Sequence, residues 1–131
     1  MTNPGSKSKR VLVVDDEQAI SDLCRRVLIS EGFEVDIAAD GKIAQNMLEE
    51  QQYDLCLIDI KLPTMNGKDL YQWLQEKQPQ LARSVMFITG DVMGGDTFTF
   101  LEKTTRPFLL KPFTPAQLEA TVRETLMHID K

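Results

Sequence analysis

Four short apolar runs in this chain each end on a polar residue, and that shared ending constrains the fold more than any other feature. Val11-Leu12-Val13-Val14 runs into Asp15-Asp16, and Leu55-Cys56-Leu57-Ile58 into Asp59. Val85-Met86-Phe87-Ile88 runs into Thr89, and Phe108-Leu109-Leu110 into Lys111. Continuous apolar runs of this length suit strands covered on both faces. As neighbours in one parallel sheet, they would bring their last residues to one edge. Three carboxylates, a hydroxyl and an ammonium would then share a small space.

Helical patterns fill the intervals. Ile20, Leu23, Cys24, Val27 and Leu28 follow helical spacing, and Gly32 supplies a left-handed stop after Glu31. Phe33 to Ala38 reads as a second strand. Asp40 is placed to cap a helix with Ile43, Ala44, Met47 and Leu48 inward. Tyr53 to Asp59 is the third strand. Pro63 and Gly67 punctuate a loop before a helix with Leu70, Leu74 and either Tyr71 or Trp73 inward, which Pro79 stops. Ser84 to Ile88 is the fourth strand. The Gly94–Lys103 stretch is expected to form a short or mobile fourth helix. It holds Phe98 and Leu101 at helical spacing, but its glycines and threonines have low helix propensity. Phe108 to Leu110 is the fifth strand. Thr114, Pro115 and Gln117 fit the N-cap, first position and capping box of a last helix with Leu118, Val122, Leu126 and Ile129 buried. Alternating strands and helices predict an α/β fold, a (βα)5 parallel sheet with right-handed crossovers. Ligands of such sheets bind beyond the carboxyl ends of the strands, where the polar residues lie.

At 131 residues the chain is one domain, with an expected loose tail at residues 1–9 and the folded unit at 10–131. The net charge of −5 and the lack of a basic run argue against direct nucleic-acid binding. No apolar stretch approaches the roughly 20 residues of a bilayer span, and Met1–Lys9 has no signal-peptide core. Cys24 and Cys56 read as reduced core residues of a cytoplasmic protein. His128, the only histidine, reads as a surface or helix-end residue away from the acidic edge.

Asp15, Asp16 and Asp59 would repel one another unless a cation were present. Oxygen-only ligands favour Mg2+ or Mn2+ over zinc. Asp59, held at the end of a buried strand, is a competent nucleophile towards phosphorus. Such a transfer needs positioning and charge neutralisation, which the metal, Lys111 and Thr89 could provide at three phosphoryl oxygens. Taken singly, each residue fits a turn cap or a solvated position; together, at four strand ends, they argue for a site.

These segments, in this order and spacing, resemble the receiver domain of bacterial two-component response regulators. The resemblance rests on Val11–Glu17, Leu57–Gly67, Ile88-Thr89-Gly90 and Phe108–Phe113, and covers Arg10 to Ile129. It implies a doubly wound, CheY-like (flavodoxin-like) sheet in the order 2-1-3-4-5. It implies Asp59 as phosphoacceptor, Asp16 as direct metal ligand, Asp15 assisting, and the backbone carbonyl of Lys61 as a further ligand. Thr89 and Lys111 would hold the phosphoryl group, with Gly90 leaving room for it. Phe108 matches the aromatic switch position. The Lys111–Pro112 peptide is typically cis in the family. The implied switch moves Thr89 towards the phosphoryl group and Phe108 inward. That repacks the face formed by the fourth helix, fifth strand and fifth helix, where a partner or second protomer would dock. The implied phosphodonor is a histidine kinase or a histidine phosphotransfer domain. A domain of this kind catalyses its own phosphorylation and dephosphorylation rather than turning over a free substrate.

Lys61 and Asp91 occupy positions that tend to gate the hydrolytic water in this family, and their opposite charges suggest a pair across the mouth of the site. The stretch from Thr89 to Phe108, with Arg106-Pro107 before the fifth strand, resembles receivers fused to hybrid sensor histidine kinases, so the chain reads as a module of such a protein. Two other functions compete. An unphosphorylated interaction module of the same fold would not need Asp59, Thr89 and Lys111 together. A small haloacid-dehalogenase-type phosphatase would want Asp-x-Asp after its first strand, where this chain has Asp15-Asp16-Glu17. No Walker glycine loop supports nucleotide hydrolysis.

Overall fold

A computed structural model describes residues 8–90 and 95–127. Its elements are β1 (Arg10–Val14), α1 (Gln18–Ser30), β2 (Glu34–Ala38), α2 (Gly41–Glu50), β3 (Leu55–Asp59), α3 (Gly67–Lys77), α4 (Pro79–Ala82), β4 (Val85–Thr89), α5 (Gly95–Thr104), β5 (Phe108–Leu110) and α6 (Pro115–Met127). All strand pairs are parallel, in the order β2-β1-β3-β4-β5. This is the expected CheY-like arrangement.

Strand alternation divides the core. Leu12, Val14, Cys56, Ile58, Val85 and Phe87 face α2, α3 and α5, where Ala44, Leu48, Leu70, Leu74 and Leu101 meet them. Val11, Val13, Leu57, Met86, Ile88 and Leu109 face α1 and α6, against Cys24, Leu28, Leu118 and Val122. Each fully buried leucine stabilises the fold by roughly 1.5–3 kcal/mol. Cys24 and Cys56 are buried and unbridged. Burial raises both thiols, Cys24 to about 12, so neither is a ready nucleophile.

Local chemistry sets most boundaries as expected. Gly32 ends α1 with φ of 96°. The Asp40 side chain accepts from Ile43 N–H at 2.8 Å, capping α2. At α6, Thr114 N–H donates to Gln117 Oε1 at 2.8 Å and Gln117 N–H to Thr114 Oγ1 at 3.1 Å, a reciprocal capping box.

Several details differ from the sequence expectation. Ile43 is exposed at 46%, because α2 buries the stripe through Gly41, Ala44 and Leu48 and turns Ile43 away. Phe98 is exposed at 52%, since Thr97 and Leu101, four apart, form the inner face of α5. Tyr71 is buried while Trp73 packs only at the margin of the core. Pro79 not only ends α3 but starts α4, where the missing N–H costs nothing, giving six helices among the described residues instead of five. Strands β2 and β3 start later than expected, and β4 spans Val85–Thr89, so Thr89 is its last residue. Thr125 is fully buried in the α6 stripe, its hydroxyl satisfied by the Thr121 carbonyl at 2.7 Å. Met1 to Lys7, Asp91, Gly94, His128 and Ile129 lie outside the described residues.

Candidate phosphoacceptor site

Strand register explains how distant residues meet. Val14 pairs with Ile58, so Asp15 and Asp59 leave their strands at one level. Asp59 pairs with Ile88, and Ile88 with Leu109, which places Lys111 two residues further along. Alternation gives Asp15, Asp59 and Lys111 the α1/α6 side of the sheet, following Val13, Leu57 and Leu109. The long lysine side chain reaches back from its higher level. Its ammonium lies 3.0 Å from Asp59 Oδ2 and 3.0 Å from Asp15 Oδ2, and it also pairs with Glu17.

The site is mostly buried. The Lys111 side chain is 12% exposed, Asp15 0% and Asp59 7%, whereas Glu17 is 59% exposed. The Asp15 and Asp59 carboxylates are each fixed by a local amide. Glu17 N–H donates to Asp15 Oδ1 at 2.8 Å, and Lys61 N–H to Asp59 Oδ1 at 3.1 Å. The ammonium donates to Glu17 and Asp59. Asp15 Oδ2 receives its charge at 3.0 Å but not in hydrogen-bonding geometry, and so stays a buried oxygen that accepts no hydrogen bond. Burial pushes Asp15 up to about 6, against the Glu17 amide and Lys111. Asp59 is raised as well, again by burial, with Lys111 opposing. Burial lowers the Lys111 ammonium, but its contacts with Glu17, Asp59 and Asp15 outweigh that and raise it overall.

Carboxylate oxygens of Asp15, Glu17 and Asp59 all lie within 4.8 Å of one another. The set is acidic and all-oxygen, which fits a hard divalent cation. Glu17 is therefore part of the cluster, although the sequence reading gave it no role. The consecutive acids Asp15-Asp16-Glu17 were the only signal for it. Asp16 is exposed and lines an adjoining groove of about 600 Å³ with Lys61, Asn66, Lys68 and Thr97, yet it is near enough to raise Asp59.

Thr89 is buried, and its carbonyl accepts Lys111 N–H at 2.8 Å. By alternation it follows Phe87 onto the α5 side of the sheet, opposite the face of Asp59. A Cβ added to Gly90 would meet nothing within 4 Å. Phe108, paired in register with Phe87, is 43% exposed rather than packed in the core. The Lys111–Pro112 peptide is cis. The Lys61 side chain is exposed.

Comparison with known proteins agrees with this geometry. Residues 11–123 match the response regulator receiver domain. The chain is 33% identical over 122 residues to the DNA-binding response regulator MtrA of Mycolicibacterium paratuberculosis, covering 93% of this chain and 53% of that protein. It thus spans about half the length of the curated relatives it matches. A CheY-like receiver domain protein from Methanospirillum hungatei is similar in structure, with a TM-score of 0.85 and 30% identity, over 95% of this chain and 98% of that one. The receiver domain of a sensor histidine kinase from Pseudomonas aeruginosa, solved with magnesium in its active site cleft, gives a TM-score of 0.80 at 25% identity, over 92% and 99%. Fold, acidic edge and sequence therefore agree that the chain belongs to the response regulator receiver domain family.

Proposed function

We propose that this receiver takes a phosphoryl group from a phosphohistidine onto Asp59. The observation that supports it most is the gathering of Asp15, Glu17 and Asp59 around one buried ammonium at the carboxyl edge of the sheet. An Asp59 oxygen attacks phosphorus, the phosphorus–nitrogen bond of the donor breaks, and the departing imidazole takes up a proton. Lys111 steadies the carboxylate beforehand and a phosphoryl oxygen afterwards. Thr89, at the end of the next strand and on the other face of the sheet, would supply a second contact by turning over the strand ends towards the phosphoryl group. Asp15, Asp16, Asp59 and the Lys61 carbonyl would hold Mg2+ or Mn2+, with Glu17 as a further acidic neighbour. Bound there, the cation supplies neutralising charge to the transferred group.

Phe108 lies one strand from Thr89, and both belong to the α5 side of the sheet. Movement of Thr89 towards the phosphoryl group would free space for Phe108 to turn inward. The exposed Phe98, Phe108 and Leu110, at 52%, 43% and 46%, give the α5–β5–α6 face an apolar surface for a partner or a second copy. The donor is a histidine kinase or histidine phosphotransfer domain, and the location is cytoplasmic. No helix among the described residues is long and apolar enough to cross a membrane.

The test is phosphorylation by acetyl phosphate with Mg2+. The wild-type chain is expected to label once per molecule and Asp59→Asn not at all. Equal labelling of the variant would refute the assignment. Mg2+-dependent beryllofluoride binding separates this reading from an unphosphorylated interaction module.

A further inference from the structure

The loop that follows the phosphoacceptor leans on α2, an element from earlier in the chain. Gly41 N–H donates to the Pro63 carbonyl at 3.3 Å, and Lys42 N–H to Thr64 Oγ1 at 3.3 Å. These are amides of the first turn of α2, donors that have no partner within the helix. The turn they hold is tight and strained. Met65 N–H donates to the Pro63 carbonyl at 2.7 Å, and Thr64 has φ of 63°, a region β-branched residues rarely enter. Backbone meets backbone at the contact. A Cβ on Gly41 would stand 1.9 Å from the Met65 carbonyl oxygen and 2.8 Å from its carbonyl carbon. No rotamer change can relieve an overlap with main-chain atoms, so any side chain at position 41 must displace the turn or the helix.

The same loop is closed at its far end. Gly67 N–H donates to the Ile60 carbonyl at 2.8 Å, and a Cβ on Gly67 would lie 2.4 Å from the Asp59 carbonyl oxygen. With one end fixed at Asp59, the position of the 63–65 turn governs the path of residues 60–62. Lys61 lies on that path. Its amide holds Asp59 Oδ1, and its carbonyl is the cation ligand of the proposed function.

The geometry points to Gly41 as a positioning residue for the phosphoacceptor site: the bare start of α2 is the seat on which the 63–65 turn rests, and the seated turn aims the Lys61 backbone at Asp59 and the cation. Gly41 touches neither phosphoryl group nor cation and acts only through the turn. The inference rests on the phosphoacceptor reading above.

Mg2+ titration calorimetry of the full chain, with beryllofluoride binding in parallel, tests it. Gly41→Ala should weaken Mg2+ binding about tenfold, the scale seen when groups that orient metal ligands are disturbed. Val122→Ala, in the core on the other side of the sheet, should lower the melting temperature without moving the Mg2+ constant. That comparison separates positioning from general destabilisation. A Gly41→Ala constant equal to wild type overturns the inference alone. A wild-type chain that binds neither Mg2+ nor beryllofluoride overturns the phosphoacceptor reading and the inference with it. Should Gly41→Ala fail to fold, Thr64→Gly carries the test, since it removes the hydroxyl anchor and relaxes the left-handed position. Weaker Mg2+ binding by Thr64→Gly supports the inference, and unchanged binding overturns it.

Discussion

Lys111 Nζ lies 3.0 Å from Asp59 Oδ2, although 52 residues and an intervening strand separate them. The ammonium sits where a divalent cation would compete for the same carboxylates. Removing it by Lys111→Ala should slow phosphorylation by acetyl phosphate at least about 100-fold, the scale of losing an electrostatic clamp on a transition state. Mg2+ affinity should rise, because its competitor has gone. Calorimetry and labelling rates on the same sample check both; a fall in both together would point to a distorted site instead of a missing charge.

Asp15 gives the metal-free domain a definite pH dependence. Its folded value of about 6 lies above the ordinary 3.8, so the folded chain holds this proton more tightly than the unfolded chain. The stabilisation is complete below about pH 4 and is lost as pH rises through about 6. The shift corresponds to roughly 3 kcal/mol. Asp15→Asn should therefore gain stability over wild type between those limits and hold a constant advantage above them. Denaturant midpoints against pH, without divalent cations, measure the difference. An advantage that shrinks with rising pH would contradict the burial argument.

Lys61 carries its exposed side chain beside the groove at the mouth of the site. If it restricts the water that attacks phosphorylated Asp59, Lys61→Ala should shorten the lifetime of the phosphorylated form severalfold while the labelling stoichiometry stays the same. Decay after removal of the phosphodonor measures it. An unchanged half-life removes Lys61 from that role. Exposed ion pairs are worth only about 0–1 kcal/mol, so a small change would fit a solvated lysine.

Some of this protein could be read one segment at a time. The capping box of Thr114 and Gln117, the left-handed stop at Gly32 and the cap at Asp40 depend on hydrogen bonds within a few residues. Local residue types therefore determine them. Apolar runs marked β1, β3, β4 and β5, the first three covered on both faces and β5 on one, and their polar ends indicated which edge of the sheet would carry chemistry. Other features depended on what packs against what. Among the adjacent acids, Asp15 turned inward, Glu17 reached Lys111 and Asp16 stayed exposed, because strand register and the Asp15–Glu17 turn set their directions. Ile43 and Phe98 match helical periodicity yet face outward, since the buried stripe is chosen by the sheet and not by the helix. The meeting of Gly41 with the Met65 carbonyl joins two segments whose sequences carry no mark of each other. Hydrogen-bonding chemistry and side-chain polarity act over a few residues and are written into the chain. Which surfaces touch is decided only when distant segments pack, and that packing formed the site.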